Sequence, residues 1–467
     1  MSSPVTDTAP THRPERSAAV KFLFVLIIGL LLSIPLLTVY LLNWDRQKQS
    51  ETAQSSITQG WGDRQVIAGP LLAIPYTAIA TETVEDKGKS VTRKVKVERE
   101  LFVAPEKAAI TTKIKPDERR RSIYQAVVYD AVIAGTARFT LPKAIDRLGI
   151  SRDSLAYDRA ELRFGVSDVR GLSGAPVLTV DGARLALEPG HGPAATNGRG
   201  FHAPVDARAL AATGLSADFR YAIRGSKSLT LSPNAGETRW TVNSPWPNPS
   251  FQGAFLPAKR EVGDAGFSAE WSIGNLALGS ALASTSDREV AAMPVERYVS
   301  DGGEGGQADI AQIDLIQTVD LYDQVNRATK YGFLFIGFTF VGLLLFDVIG
   351  GVRLSAPGYA LVGSGLVLFF VILLALAEVI GFGLAYGAAS LAMIGLITAY
   401  CTAILQSRKR AMIMGAMLAG LYAILFVLLS LEAYSLLIGS LLLFAALAGV
   451  MYVTRNLDWS AKRVAST

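Results

Sequence analysis

Glu188, His191 and His202 are the residues of this 467-residue chain whose types best suit metal chemistry. Imidazole nitrogens and carboxylate oxygens are zinc-type donors. Their spacing argues against a site. Zinc sequences bring histidines close together, as in H-x₃₋₅-H, whereas positions 191 and 202 stand far apart in a Gly-rich stretch. Ordinary loop histidines are therefore expected, with no metal and no cofactor. Nucleophilic hydrolysis requires a nucleophile, a base and an orienting group. The third and last histidine, His12, lies near the N-terminus, and no G-x-S-x-G elbow precedes a helix. Serines and lysines are abundant, but no spacing selects a Ser–Lys pair. No catalytic residue is named, and the chain is not expected to be an enzyme. Cys401, the single cysteine, falls in an apolar run and is read as a small buried residue.

The elements around these residues are far more legible. A bilayer core about 30 Å thick takes roughly 20 apolar residues as a helix. Residues 20–42 meet that length, and so do 331–349, 359–377, 382–405, 412–430 and 434–453. Backbone amides in lipid pair within their own segment, so each is expected to be helical, with a kink at Pro35. The first run is too long for a signal-peptide core, and no small-x-small cleavage site follows it, so it reads as an uncleaved anchor. Arg13, Arg16 and Lys21 flank it on one side. Arg353, the Arg408–Lys409–Arg410 cluster, Arg455, Lys462 and Arg463 occupy alternate connections, while the intervening ones hold Glu378 and Glu432. The positive-inside rule then sets both termini in the cytoplasm and the long insert on the opposite, periplasmic side.

The predicted fold class is a membrane α-helical protein of six transmembrane helices, 1 + 5, with a large antiparallel β-rich periplasmic domain. The boundaries are 1–19 for a cytoplasmic tail, 20–42 for the first helix and 43–330 for the domain. The five-helix bundle follows at 331–454 and a second tail at 455–467. Residues 45–60 are expected to continue the first helix outward. From Val66 the texture is strand. Residues 91–103, 126–139, 161–166, 177–187, 217–223, 228–231, 238–242 and 267–273 alternate apolar and polar at period two, with turn signals such as Asp181-Gly182 between them. Many short strands indicate an antiparallel sandwich or open barrel, with short helices near 142–148 and 207–212. The Gly-rich 300–306 stretch reads as a disordered loop. The net charge of +5 is scattered and partly belongs to the basic flanks, so a nucleic-acid partner is excluded.

Two groups of residues stand out for contacts. Trp246, Pro249, Phe251, Phe255, Lys259, Arg260 and Glu261 form a Pro-stiffened, aromatic and charged segment. It reads either as an exposed loop that recognises an envelope ligand or protein, or as a crossover that buries its aromatics in the domain core. Arg327 and Lys330 share a helical face ahead of the second span, where they would anchor at the interface or pair with Glu378 or Asp323, or else couple domain to bundle. Carboxylates are scarce inside the spans, which weakens a transport reading. Small residues such as Gly363, Gly365, Gly383, Gly387, Gly415, Gly420, Gly439 and Gly449 fit close helix packing.

Several segments resemble the CreD family of inner-membrane cell-envelope-integrity proteins. They are GPLLAIP at 69–75, WPNPSFQGAFLPAKREVGDAGFSAEW at 246–271, NRATKY at 326–331, LAEVIGF at 376–382 and VTRNLDW at 453–459. A weaker match joins LEPGHG to GRGFHAP within 187–204. The resemblance runs in order along nearly the whole chain. It implies an inner-membrane location, one large periplasmic domain, and a role in envelope integrity tied to a stress response. It implies a histidine at the position of His202 but not at that of His191, and it transfers no catalytic residues. The expected partners are the lipid bilayer and envelope proteins or cell-wall components. A transporter or lipid-handling protein is the alternative.

Overall fold

The computed structural model describes residues 18–86, 89–121, 124–287, 309–315, 321–348, 354–430 and 435–455. Most of the predicted tails, the 300–306 stretch, Arg353, Glu432, and the Asp458–Trp459 end of VTRNLDW lie outside them. The chain divides into two compact units, one of residues 1–50 with 319–467 and the other of residues 51–318.

The first unit is helical. Helix α1 spans Ala18–Gln59, with Pro35 inside it, and so does carry the polar 45–59 stretch beyond the apolar run. Among the described residues of this unit six more helices follow: α2 Leu321–Lys330, α3 Gly332–Val348, α4 Ala356–Ile380, α5 Phe382–Ile404, α6 Arg408–Ser430 and α7 Ser435–Thr454. Among the described residues, five helical stretches are long and apolar enough to cross a membrane: Lys21–Gln59, Tyr322–Asp347, Ala356–Ile380, Phe382–Ile404 and Arg408–Leu429.

Polar contacts define the two ends of this bundle. At one end the Lys21 ammonium lies 2.7 Å from Asp347 Oδ1, tying the start of α1 to the end of α3. Asp347 is only 4 % exposed, and Lys21 supplies the countercharge its burial requires. At the other end the buried Asn43 amide donates to the Tyr322 carbonyl at 3.0 Å. The Tyr322 hydroxyl donates to Glu378 Oε1 at 3.2 Å, at the end of α4. Between these ends the helices approach closely. A Cβ added at Gly363 would lie 2.1 Å from Leu32 of α1, and one at Gly415 would lie 2.5 Å from Thr398 of α5. Gly383, Gly387, Gly420 and Gly449 meet nothing within 4 Å, so the expectation of close packing holds for only some of the glycines.

The second unit is built from two sheets. A nine-stranded sheet contains β1 Gln65–Asp86, β2 Lys89–Val103, β5 Ala160–Val166, β8 Glu188–Pro189, β9 Gly200–Val205, β11 Ser228–Ser232, β13 Pro249–Gln252, β16 Ala283–Ser284 and β17 Ala311–Leu315. An eight-stranded sheet contains β3 Lys107–Arg121, β4 Tyr124–Phe139, β6 Leu172–Val180, β7 Ala183–Arg184, β10 Leu215–Ser226, β12 Glu237–Ser244, β14 Lys259–Gly263 and β15 Gly266–Gly274. One apolar core draws on both, and aromatics bridge them. Phe164 of β5 meets Phe219 of β10 at 5.2 Å, and Phe201 of β9 meets Tyr221 at 5.4 Å. Most of the expected strands are present, but 177–187 is broken by a turn at Asp181–Gly182 into the end of β6 and β7, and short 3₁₀ turns occupy 143–148 and 208–211. The sheets are not purely antiparallel, however: β1 pairs with β11 and β3 with β12 in parallel.

Within this unit α1 ends in a packed turn. Trp61 follows α1, and its indole donates to the Tyr129 carbonyl at 3.3 Å. The guanidinium groups of Arg119 and Arg224 lie 4.4 and 4.5 Å from its ring centre. Such cation–π contacts hold an amphipathic ring at a polar boundary.

The Lys21–Asp347 pair makes a direct test of bundle closure. Lys21→Ala should destabilise the full chain in detergent by on the order of 3 kcal/mol, the lower end of the cost of orphaning a buried charge. The double variant Lys21→Met/Asp347→Asn should recover most of that loss, measured by thermal unfolding. Equal losses in the single and double variants would show that the pair carries no closure energy.

Candidate functional site

A group of polar residues on the β-rich unit lies on one face of the nine-stranded sheet. Side chains two apart on a strand share a face, so Glu161 and Arg163 of β5 point the same way while Leu162 and Phe164 enter the core. Arg163 stands opposite His202 of β9, and His202 stands opposite Glu188 of β8. Register therefore places Glu161, Arg163, His202 and Glu188 in one patch.

The loop between β8 and β9 adds His191. It folds back through the Gly190 amide on the Gly200 carbonyl and the Gly192 amide on the Gly198 carbonyl, both at 3.0 Å. Gly200 has a φ of 146°, and a Cβ there would fall 1.9 Å from the Phe164 carbonyl, so no other residue lets β9 lie this close to β5. His191 itself takes a φ of 51°, rare for a residue with a side chain. The turn sets its ring over His202, stacked at 4.5 Å between centroids.

The hydrogen bonds assign roles. His202 is buried, and its Nδ1 lies 3.2 Å from the Gly190 carbonyl, which accepts a proton and donates none. Nδ1 therefore carries hydrogen, and Nε2 faces the Glu188 carboxylate at 3.7 Å. His191 Nδ1 lies 3.1 Å from Glu161 Oε2. Arg163 bonds Glu161 at 2.8 Å and also grips both oxygens of Glu100, through Nη1 at 3.0 Å and through Nη2. Burial pushes the Glu161 carboxyl up. The Arg163 and His191 hydrogen bonds and the charges of Arg163 and His202 outweigh it and hold the group below the usual carboxylate value. One donor atom each from Glu161, His191 and His202 lies within 4.8 Å of the others. The sequence spacing concealed this arrangement, because the residues meet across strands and not along the chain.

The predicted contact segment is split between two environments. Trp246, Phe251 and Phe255 pack against the core. Phe251 meets Trp271 edge-on at 5.7 Å, and the Trp271 indole donates to the Phe255 carbonyl at 3.0 Å. Pro249 begins β13 at one edge of the nine-stranded sheet. Lys259, Arg260 and Glu261 lie exposed on β14, the edge of the other sheet. The partly buried aromatics of the segment thus pack against the core while its charges lie exposed. In the helical unit, Arg327 is half-buried and Lys330 exposed on α2, and Glu378 accepts a hydrogen bond from the Tyr322 hydroxyl, on that same helix. Tyr322 is a residue that the sequence did not single out; its position i−5 from Arg327 puts it on another face of α2.

A set of apolar helices together with a large β-rich unit defines a multi-pass membrane protein with a large β-rich insertion. The family model described as "Inner membrane protein CreD" matches residues 17–460. The inner membrane protein CreD of Escherichia coli strain K12 is 31 % identical over 436 residues, which cover 92 % of this chain and 91 % of that protein. The chain belongs to the CreD family of inner membrane proteins. Among solved structures, the M1 zinc metallopeptidase from Deinococcus radiodurans matches at 9 % identity with a TM-score of 0.19. That match covers 36 % of this chain and 38 % of the peptidase, and carries no argument.

The depressed Glu161 carboxyl predicts a pH dependence. Its contribution to stability is complete above the ordinary glutamate value of 4.5 and is lost as pH falls through the lower folded value. Between pH 6 and pH 3 the unfolding midpoint of the wild type should fall more steeply than that of Glu161→Gln. Parallel curves for the two proteins would refute the assignment.

Proposed function

We propose that the chain crosses the inner membrane six times, with α7 as the sixth span and both termini in the cytoplasm. The β-rich unit then stands in the periplasm, where it supports cell-envelope integrity and the envelope stress response by binding or scaffolding and not by catalysis. The observation that carries this reading is the family match along nearly the whole chain, joined to a β-rich unit with its own extensive core. The charge pattern supports the orientation. Lys21 sits at the Asp347 end of the bundle, where Gly358 at the start of α4 also approaches Ile404 at the end of α5. The basic residues 408–410 begin the next helix, so basic groups gather where the positive-inside rule wants them. The exposed Lys259–Glu261 edge offers charge-assisted bonds to an envelope protein or a cell-wall component.

Complementation of envelope leakage in a deletion strain tests this reading. The full chain is compared with a chain ending at Thr318, which keeps the β-rich unit tethered by α1 alone. A third protein carries Lys259→Ala, Arg260→Ala and Glu261→Ala. At equal membrane levels, the tethered unit should restore a measurable part of the barrier, and the triple variant should lose most of it. If only the full chain works and the triple variant is silent, the activity lies in the bundle, as a transporter or lipid-handling protein requires.

A further inference from the structure

We propose that Glu161, His191 and His202 bind a divalent late transition metal of the zinc class, with Glu188 available as a fourth ligand. Three features point to a cation at this spot. The donors are two imidazoles and carboxylates, a set that suits Zn²⁺, Ni²⁺ or Cu²⁺ and not the all-oxygen shells of Mg²⁺ or Ca²⁺. They come from three separate elements, β5, the β8–β9 loop and β9, and their nearest donor atoms already lie within 4.8 Å of one another. Metal–ligand distances near 2.0–2.2 Å draw the donors closer than that. The movement falls to His191 and Glu188, whose side chains are 61 % and 60 % exposed, while His202 stays fixed at 7 %.

The second feature is the state of His202. Its Nδ1 hydrogen is given to the Gly190 carbonyl. This is the outer bond that metal-bound histidines usually make, and it leaves the Nε2 lone pair as the ligand. That lone pair faces a carboxylate at 3.7 Å, an acceptor against an acceptor. Something positive belongs between them, either a proton or a metal ion. His191 stacks on His202 at 4.5 Å, so both rings stand beside the same spot. One divalent ion satisfies both rings at once.

The third feature is charge. Arg163 pairs with both Glu100 and Glu161, and Glu188 faces His202. These three carboxylates outnumber the guanidinium that shares their patch, a surplus of negative charge that a cation offsets. Arg163 acts as a positioning residue: it holds Glu161 while the other carboxylate oxygen stays within reach of His191. The bound ion pins the Gly190–Gly200 loop to the sheet.

The test uses the full chain in detergent, purified through a tag without histidine, stripped with chelator and dialysed against Zn²⁺ with metal analysis. Co²⁺ serves as a second probe through its visible ligand-field bands. One equivalent of Zn²⁺ should bind, Co²⁺ should give bands typical of nitrogen ligation, and His191→Ala should weaken both by at least about tenfold. His191 is exposed, so that variant keeps the fold. Arg163→Lys should weaken binding less than Glu161→Gln does. Binding at the same strength and stoichiometry in His191→Ala and Glu161→Gln would mean an adventitious ion only, and would overturn the proposal. So would the absence of any bound metal above the detergent blank.

Discussion

The helical unit is assembled from parts that the chain sets far apart, and the pairing of Lys21 with Asp347 is where they meet. Helices in lipid satisfy their own backbones, so apolar sequence alone says little about which helix packs on which. A buried carboxylate is different: it demands a partner in a defined place. Asp347 at the end of α3 finds it in the first turn of α1. The opposite end is closed by Asn43 on the Tyr322 carbonyl and by the Tyr322 hydroxyl on Glu378. With both ends fixed, close contacts such as Leu32 on Gly363 follow in between. The chain leaves and re-enters this unit on the same side, which is what a large inserted unit requires.

The β-rich unit obeys the opposite solvent rule. Its strands alternate because one face of each sheet meets the core and the other meets water. The aromatic contacts of Phe164 and Phe201 with Phe219 and Tyr221 join the layers from inside. The same alternation throws Glu161, Arg163 and His202 outward together. The chemistry of the unit is thus a by-product of register: three strands in the order β5, β9, β8 line up residues that lie far apart in sequence.

The sequence made the apolar helices and most strands legible because period and length carry those signals. It missed β3, where Thr112 and a run of charges interrupt the apolar positions although the burial alternates regularly. It missed β9, a short strand in which His202 lies on the outer face between the core residues Phe201 and Ala203. The parallel pairings of β1 with β11 and β3 with β12 depend on contacts between distant segments, and no local pattern encodes them. The spacing rule for zinc ligands reads along the chain, so it set aside two histidines that a hairpin stacks at 4.5 Å. The aromatic segment from Trp246 was legible as to type: its partly buried aromatics pack against the core and its charges lie exposed.

The central claim is that the β-rich unit and the basic connections lie on opposite sides of the inner membrane. Single-cysteine labelling addresses it directly. Cys401 is replaced by Ala, and one cysteine is introduced either at Lys259, exposed on β14, or at Lys409, exposed at the start of α6. A membrane-impermeant maleimide is then applied to intact spheroplasts and to lysed ones. The account predicts that Lys259→Cys is labelled in both and Lys409→Cys only after lysis. Labelling of Lys409→Cys in intact spheroplasts, with Lys259→Cys protected, would contradict it.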